Sequence, residues 1–181
     1  MAHETQKAWN ILFLCTGNSA RSIMAEAICR KGWPRRLSAY SAGSHPKAEV
    51  NERALSLLRH LGHDTEGLRS KSWDEFAAAD APRMDFVITV CDDAAGEVCP
   101  AWPGQPMTAH WGMPDPAQAT GTEAEIALAF DQAYGMLDRR IGILANLPIA
   151  TLDSLRLKRA LDDIGNGASQ ETMETAPTEH G

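Results

Sequence analysis

The chain has 181 residues, enough for one compact domain and too few for two sizeable cores. Hydrophobic residues make up 44% and charged residues 23%, which excludes a fibrous or wholly disordered chain. Lys plus Arg number 17 against 24 Asp plus Glu, a net charge of −7, so neither nucleic acid nor an anionic membrane surface is expected as a partner.

Apolar runs such as Ile11 to Leu14 and Phe86 to Ile88 fall far short of the roughly 20 residues that a membrane span needs. The first apolar run ends within a few residues at Cys15-Thr16-Gly17, too short for a secretory leader. The expected location is the cytoplasm. The 4 cysteines are then reduced at rest and read as reactive or buried thiols rather than structural disulfides.

Ile11 to Leu14 has no polar alternation and predicts a buried central strand. A glycine-containing turn follows, then a helix over Ser22 to Lys31 closed by Gly32 and Pro34. Leu37 to Ser41 predicts a second strand, and Asn51 to Leu61 a helix with Ala54, Leu57, Leu58 and Leu61 at helical spacing. Phe86 to Val90 is β-branched and apolar, a third strand, and Pro106 to His110 gives a short fourth. Glu123 to Asn146 carries a long apolar stripe from Ile126 to Leu144, and Thr151 to Ile164 predicts a last amphipathic helix. Residues 8–147 thus form the domain, 148–164 a C-terminal helical extension and 165–181 a tail with little to bury, expected to be disordered. The alternation of strands and helices predicts an α/β fold with its site at the carboxyl ends of the strands.

The segment Cys15-Thr16-Gly17-Asn18-Ser19-Ala20-Arg21-Ser22 lies between a buried strand and a helix start. Such a loop turns successive backbone N–H groups inward as a nest for a tetrahedral oxyanion, with Thr16, Gly17, Asn18, Ser19 and Ala20 as its wall and Arg21 gripping two oxygens. Donors that bind an anion also stabilise a sulfur anion, so Cys15 is expected as a nucleophilic thiolate, with Ser22 donating its hydroxyl to the sulfur. Asn18 suits a position of positive φ.

This octapeptide, followed by Met24-Ala25-Glu26, resembles the phosphate loop of the low-molecular-weight protein tyrosine phosphatase superfamily, over roughly residues 9 to 147. The resemblance implies a three-layer α/β sandwich of the phosphotyrosine phosphatase I type, a four-stranded parallel sheet with helices on both faces. Cysteine chemistry on an oxyanion needs a proton donor for the departing oxygen. Asp115, in Pro114-Asp115-Pro116, matches the family's general acid. Family phosphatases usually carry an aromatic residue directly after that Asp-Pro, whereas this chain has Ala117, with His110-Trp111-Gly112 just upstream as in the arsenate reductase branch.

Cys91 ends the third strand and so shares a sheet edge with Cys15, and Cys99 follows eight residues later. The thioredoxin-linked arsenate reductases resemble this arrangement, which implies a relay: Cys15 attacks arsenate, Cys91 attacks Cys15, and Cys99 resolves the disulfide. Residues eight apart on an intact helix lie about 12 Å apart, whereas a disulfide spans about 7 Å at most between α-carbons. The segment from Asp92 to Val98 is therefore expected to unwind or loop out in turnover. Cys29 reads as a packed thiol.

Arsenate is the expected substrate, phosphate a competitor, and thioredoxin or glutathione with glutaredoxin the reductant. Ala20 stands where many thioredoxin-linked members carry a further cysteine. No cofactor or resident metal is expected. Cys91, Cys99 and His110 supply only three ligands at spacings that match no common zinc pattern. Asn18 and Glu26 match the family's potassium site, with Ser41 as a third oxygen, too few to complete a hard-cation shell. A tyrosine phosphatase using Cys15, Arg21 and Asp115, and a non-catalytic oxyanion or thiol sensor, are the rival readings.

Overall fold

In the computed structural model, which describes residues 7–97 and 100–174, strand β1 (Trp9–Cys15) is fully buried from Ile11 to Leu14. A strand without polar alternation needs cover on both faces. It has that cover. Strand β1 pairs in parallel with β2 (Leu37–Gly43) on one side and β3 (Phe86–Thr89) on the other, and β4 (Met107–His110) closes the four-stranded sheet in the order β2-β1-β3-β4. The fold is α/β, as expected.

The order reverses direction between β1 and β3, and a crevice opens beyond their carboxyl ends. Leu14 pairs with Thr89, and the Val90 N–H donates to the Leu14 carbonyl at 2.8 Å. Cys15 and Cys91 therefore emerge side by side at this switch point.

Helix α1 (Arg21–Gly32) packs Ile23, Met24, Ala27 and Ile28 into the larger core with α5 (Glu123–Asn146), whose Leu137, Ile141 and Leu144 are fully buried. Thr122 and Glu125 form a reciprocal capping box at the start of α5, at the boundary predicted from its apolar stripe. Helix α2 (Glu52–His60) is capped by Asn51, whose side chain accepts from the Arg53 and Ala54 amides. A smaller cluster of Leu12, Leu14, Phe76, Met84 and Val87 fills the opposite face of the sheet, supported by the single-turn α3 (Asp74–Ala77), an element the periodicity did not predict.

One predicted boundary is corrected. Helix α6 (Ser154–Glu174) continues ten residues past Ile164, where the sequence predicted its end; 175–181 lie outside the described residues. The reason is a close approach. A side chain at Gly165 would run into the His110 carbonyl and come within 2.8 Å of Trp111 Cδ1, so this glycine lets α6 lie directly on the sheet edge instead of ending the helix. The Trp111 indole N–H donates to the Leu161 carbonyl at 3.0 Å, and Lys158 Nζ covers the Thr108 carbonyl of the edge strand at 2.7 Å. After Cys91, α4 (Asp92–Ala95) is a single turn that stops before Gly96. Val98 and Cys99 lie outside the described residues.

No helix among the described residues is long and apolar enough to cross a membrane.

Candidate active site

Residues 15–22 wrap the carboxyl end of β1 into the first turn of α1. Ala20, the residue before α1, offers no side-chain cap, so the first amides of that helix remain available to an anion. Asn18 takes φ +43 and is fully buried, with its Oδ1 accepting from the Lys71 amide at 2.9 Å. The loop also needs Gly43 at the end of β2, where a Cβ would stand 2.5 Å from the Thr16 carbonyl.

Ser22 is fully buried and its hydroxyl lies 2.9 Å from Cys15 Sγ. Asn18 Nδ2 donates to that hydroxyl oxygen at 2.8 Å, which leaves the single hydroxyl proton to point at the sulfur. Cys15 itself is 4% exposed. Burial pushes its thiol up from the ordinary value and outweighs the lowering by the Ser22 hydroxyl and amide and by Arg21, while the nearby Cys91 adds to the rise. The Ser22 donors and Arg21 thus stand where they oppose the cost of burial to a Cys15 anion.

Arg21 donates to the Met113 carbonyl at 3.0 Å and its Nη2 lies 3.4 Å from Asp115 Oδ2. Asp115 Oδ1 accepts from the Ala117 amide at 3.0 Å, a turn that aims the carboxyl group back at the loop. The acid segment is anchored from below by the buried Arg140 of α5, whose guanidinium donates to the carbonyls of Trp111 and Gly112 at 2.9 and 3.3 Å. Trp111 is fully buried core. Cys15, Arg21 and Asp115 line one cavity of about 330 Å³ with Thr16, Gly17, Ser19 and Ala20.

Cys91 is 2% exposed, and its Sγ accepts from the Thr16 amide at 3.3 Å and the Ala94 amide at 3.4 Å. The second cysteine therefore touches the first residue of the loop that holds the first. Cys29 is fully buried beneath α1, where burial and the Glu26 charge push its thiol far up, which suits packing and not redox chemistry.

The oxygens matched to a potassium site serve another cation. Ser41 Oγ donates to Glu26 Oε2 at 2.5 Å, and Lys71 Nζ lies 3.4 Å from Ser41 Oγ and 3.8 Å from Glu26 Oε2, all three residues being buried. The ammonium stands among these groups, while the Asn18 amide oxygen is engaged by the Lys71 backbone. Both ring nitrogens of His110 are likewise committed, Nδ1 to Thr89 Oγ1 and Nε2 to Asp92 Oδ1, each at 2.8 Å. Among the described residues no group of three or more His, Cys, Asp and Glu side chains could hold a metal ion.

Residues 10–157 match the family described as low molecular weight phosphotyrosine protein phosphatase. The chain belongs to this family. Within the family it is similar to proteins named arsenate reductase. It is 38% identical over 135 residues to "Arsenate reductase" of Halalkalibacterium halodurans, covering 75% of this chain and 94% of that protein. It is 39% identical over 131 residues to "Arsenate reductase" of Bacillus licheniformis, covering 72% and 91%. The crystal structure of arsenate reductase from Archaeoglobus fulgidus superposes with a TM-score of 0.53 at 27% identity, over 73% of this chain and 98% of that one.

The family's loop, arginine and aspartate were readable as motifs. Lys71, Ser70, which donates to the Gly17 carbonyl at 3.1 Å, and Arg140 were not. Each lies far from the loop in sequence within an ordinary polar or amphipathic stretch, so no local pattern distinguishes it from a solvated residue.

Proposed function

We propose that this protein is an arsenate reductase in which Cys15, Cys91 and Cys99 pass two electrons to arsenate. The observation that carries this reading is the contact of Cys91 Sγ with the loop amide of Thr16 at 3.3 Å, because a phosphatase has no use for a second buried thiol there. In the first step Cys15 sulfur attacks arsenic while the loop amides and Arg21 stabilise the charge on the oxygens. Asp115 delivers a proton to the departing hydroxyl, which leaves as water; thiol plus hydrogen arsenate dianion becomes a Cys15 thio-arsenate dianion plus water. Ser22 stabilises the Cys15 sulfur as an anion whenever it attacks or departs.

In the second step Cys91 attacks Cys15 sulfur, the sulfur–arsenic bond breaks with its electron pair remaining on arsenic, and arsenite leaves as the Cys15–Cys91 disulfide forms. Cys99 then attacks Cys91, which frees the Cys15 thiol and leaves a Cys91–Cys99 disulfide. A dithiol reductant, thioredoxin or glutathione with glutaredoxin, reduces that bond by exchange. The setting for such exchange is a reducing cytoplasm.

The test is Cys91→Ser and Cys99→Ser, with arsenite release measured in single and multiple turnover and disulfides mapped by mass spectrometry. Both variants are expected to lose multiple turnover. Sustained turnover in both, or hydrolysis of an aryl phosphate with no arsenite from the unaltered protein, would replace this reading with the phosphatase one.

A further inference from the structure

The rim of the cavity beyond the loop is polar and charged, with His45, Lys47, Asp115 and Gln118 as its outer residues and no Phe, Tyr or Trp among those lining it. Residues 45–47 run alongside the loop: the His45 amide donates to the Thr16 carbonyl at 2.9 Å and the Lys47 amide to the Gly17 carbonyl at 3.0 Å. Ala48 then turns away at φ +68, and the methylenes of Lys47 cover the side-chain-free face of Gly17. Lys31, Lys71 and Lys158 each donate to a carbonyl or carboxylate oxygen, whereas Lys47, exposed at the mouth, has no acidic partner among the described residues.

A protein of net charge −7 repels the anion that its own nest is built to hold. A cation fixed at the mouth offsets that field where the substrate enters. Arg21 cannot supply this alone, since it is also engaged with Asp115 and the Met113 carbonyl.

We propose that Lys47 is a specificity-determining residue that selects compact, doubly charged oxyanions by pairing with their outward-facing charge. The proposal deepens the arsenate-reductase reading and rests on it for the identity of the substrate. It also accounts for the mouth chemistry, where an ammonium and an amide stand at the position an aryl ester would need an apolar wall. A unit charge about 7 Å from a dianion in water-like surroundings changes affinity about sevenfold at low ionic strength, and about twofold to threefold at physiological salt.

The experiment compares Lys47→Gln and Lys47→Arg with the unaltered protein, by calorimetric titration with inorganic phosphate and by steady-state arsenate reduction, each at low and at physiological ionic strength. Lys47→Gln is expected to weaken phosphate binding and raise the arsenate KM about sevenfold at low salt, with the gap narrowing as salt rises and Lys47→Arg retaining affinity. Unchanged phosphate affinity and salt dependence in Lys47→Gln would overturn the assignment, as would a loss confined to kcat. Weakened phosphate binding in a protein that reduces no arsenate would uphold Lys47 while removing the reductase reading.

Discussion

Ser22→Ala tests how Cys15, the proposed nucleophile, is activated. In the structure the Ser22 hydroxyl is held by Asn18 Nδ2 at 2.8 Å so that its proton faces Cys15 Sγ at 2.9 Å, in surroundings that already push the thiol up. A hydrogen bond to an ionised group contributes about 1.5–3 kcal/mol, so its loss lowers the thiolate population at neutral pH roughly ten- to hundredfold. The first-step rate, read as arsenite released in a single turnover, is expected to fall by the same factor. Alkylation of Cys15 followed by peptide mapping across pH separates this cause from a loss of packing: the variant lags at neutral pH and catches up once both thiols ionise at high pH. The substitution also strips the buried Asn18 Nδ2 of its acceptor, a cost of about 1–3 kcal/mol that appears as a lower midpoint in denaturant. Superimposable alkylation profiles for variant and parent would refute the assignment of Ser22 as donor to the sulfur.

His63 makes folding stability depend on pH. Its Nδ1–H donates to the Ala27 carbonyl and its Nε2 accepts from the Tyr134 hydroxyl, and burial together with the Lys31 charge holds its pKa below the usual value of 6.5. The unfolded chain then binds the extra proton first, so stability is lost as pH falls below 6.5, by no more than about 1.4 kcal/mol per pH unit. Thermal unfolding of His63→Gln between pH 7 and pH 5, set against the parent, is expected to show a shallower decline; equal slopes would assign the pH dependence elsewhere. Gly165→Ala gains about 1 kcal/mol of helix propensity but must displace α6 from His110 and Trp111, a strain of about 1–3 kcal/mol. Lower stability with altered Trp111 fluorescence is expected, and net stabilisation would contradict the close approach.

Strands β1 and β3 and helix α5 were legible because their apolar periodicity, or its absence, reflects burial on one or both faces. The loop was legible because binding a tetrahedral anion needs a run of small residues between strand and helix, and such a run stays contiguous along the chain. Helix boundaries at glycine were less legible: Gly165 reads as a stop in one dimension, and only the nearness of the His110 carbonyl shows why a side chain is absent there. The short α3 and α4 are too brief for any period to register.

The amino-acid order by itself determined the class of fold and pointed to Cys15, Arg21 and Asp115 as the proposed nucleophile, oxyanion grip and acid, since each belongs to a local pattern with a physical reason. Tertiary structure decided what surrounds them. Burial sets a desolvation cost on a Cys15 anion, which the Ser22 donors and Arg21 oppose. The ammonium of Lys71, thirty residues from Ser41 and forty-five from Glu26, entered a cluster that sequence matching associated with a metal ion. Lys47 came to stand over the loop because β2 runs parallel to β1 and delivers the segment after Gly43 to the same end of the sheet. Desolvation and charge pairing depend on distance in space, and that distance exists only after the strands have paired.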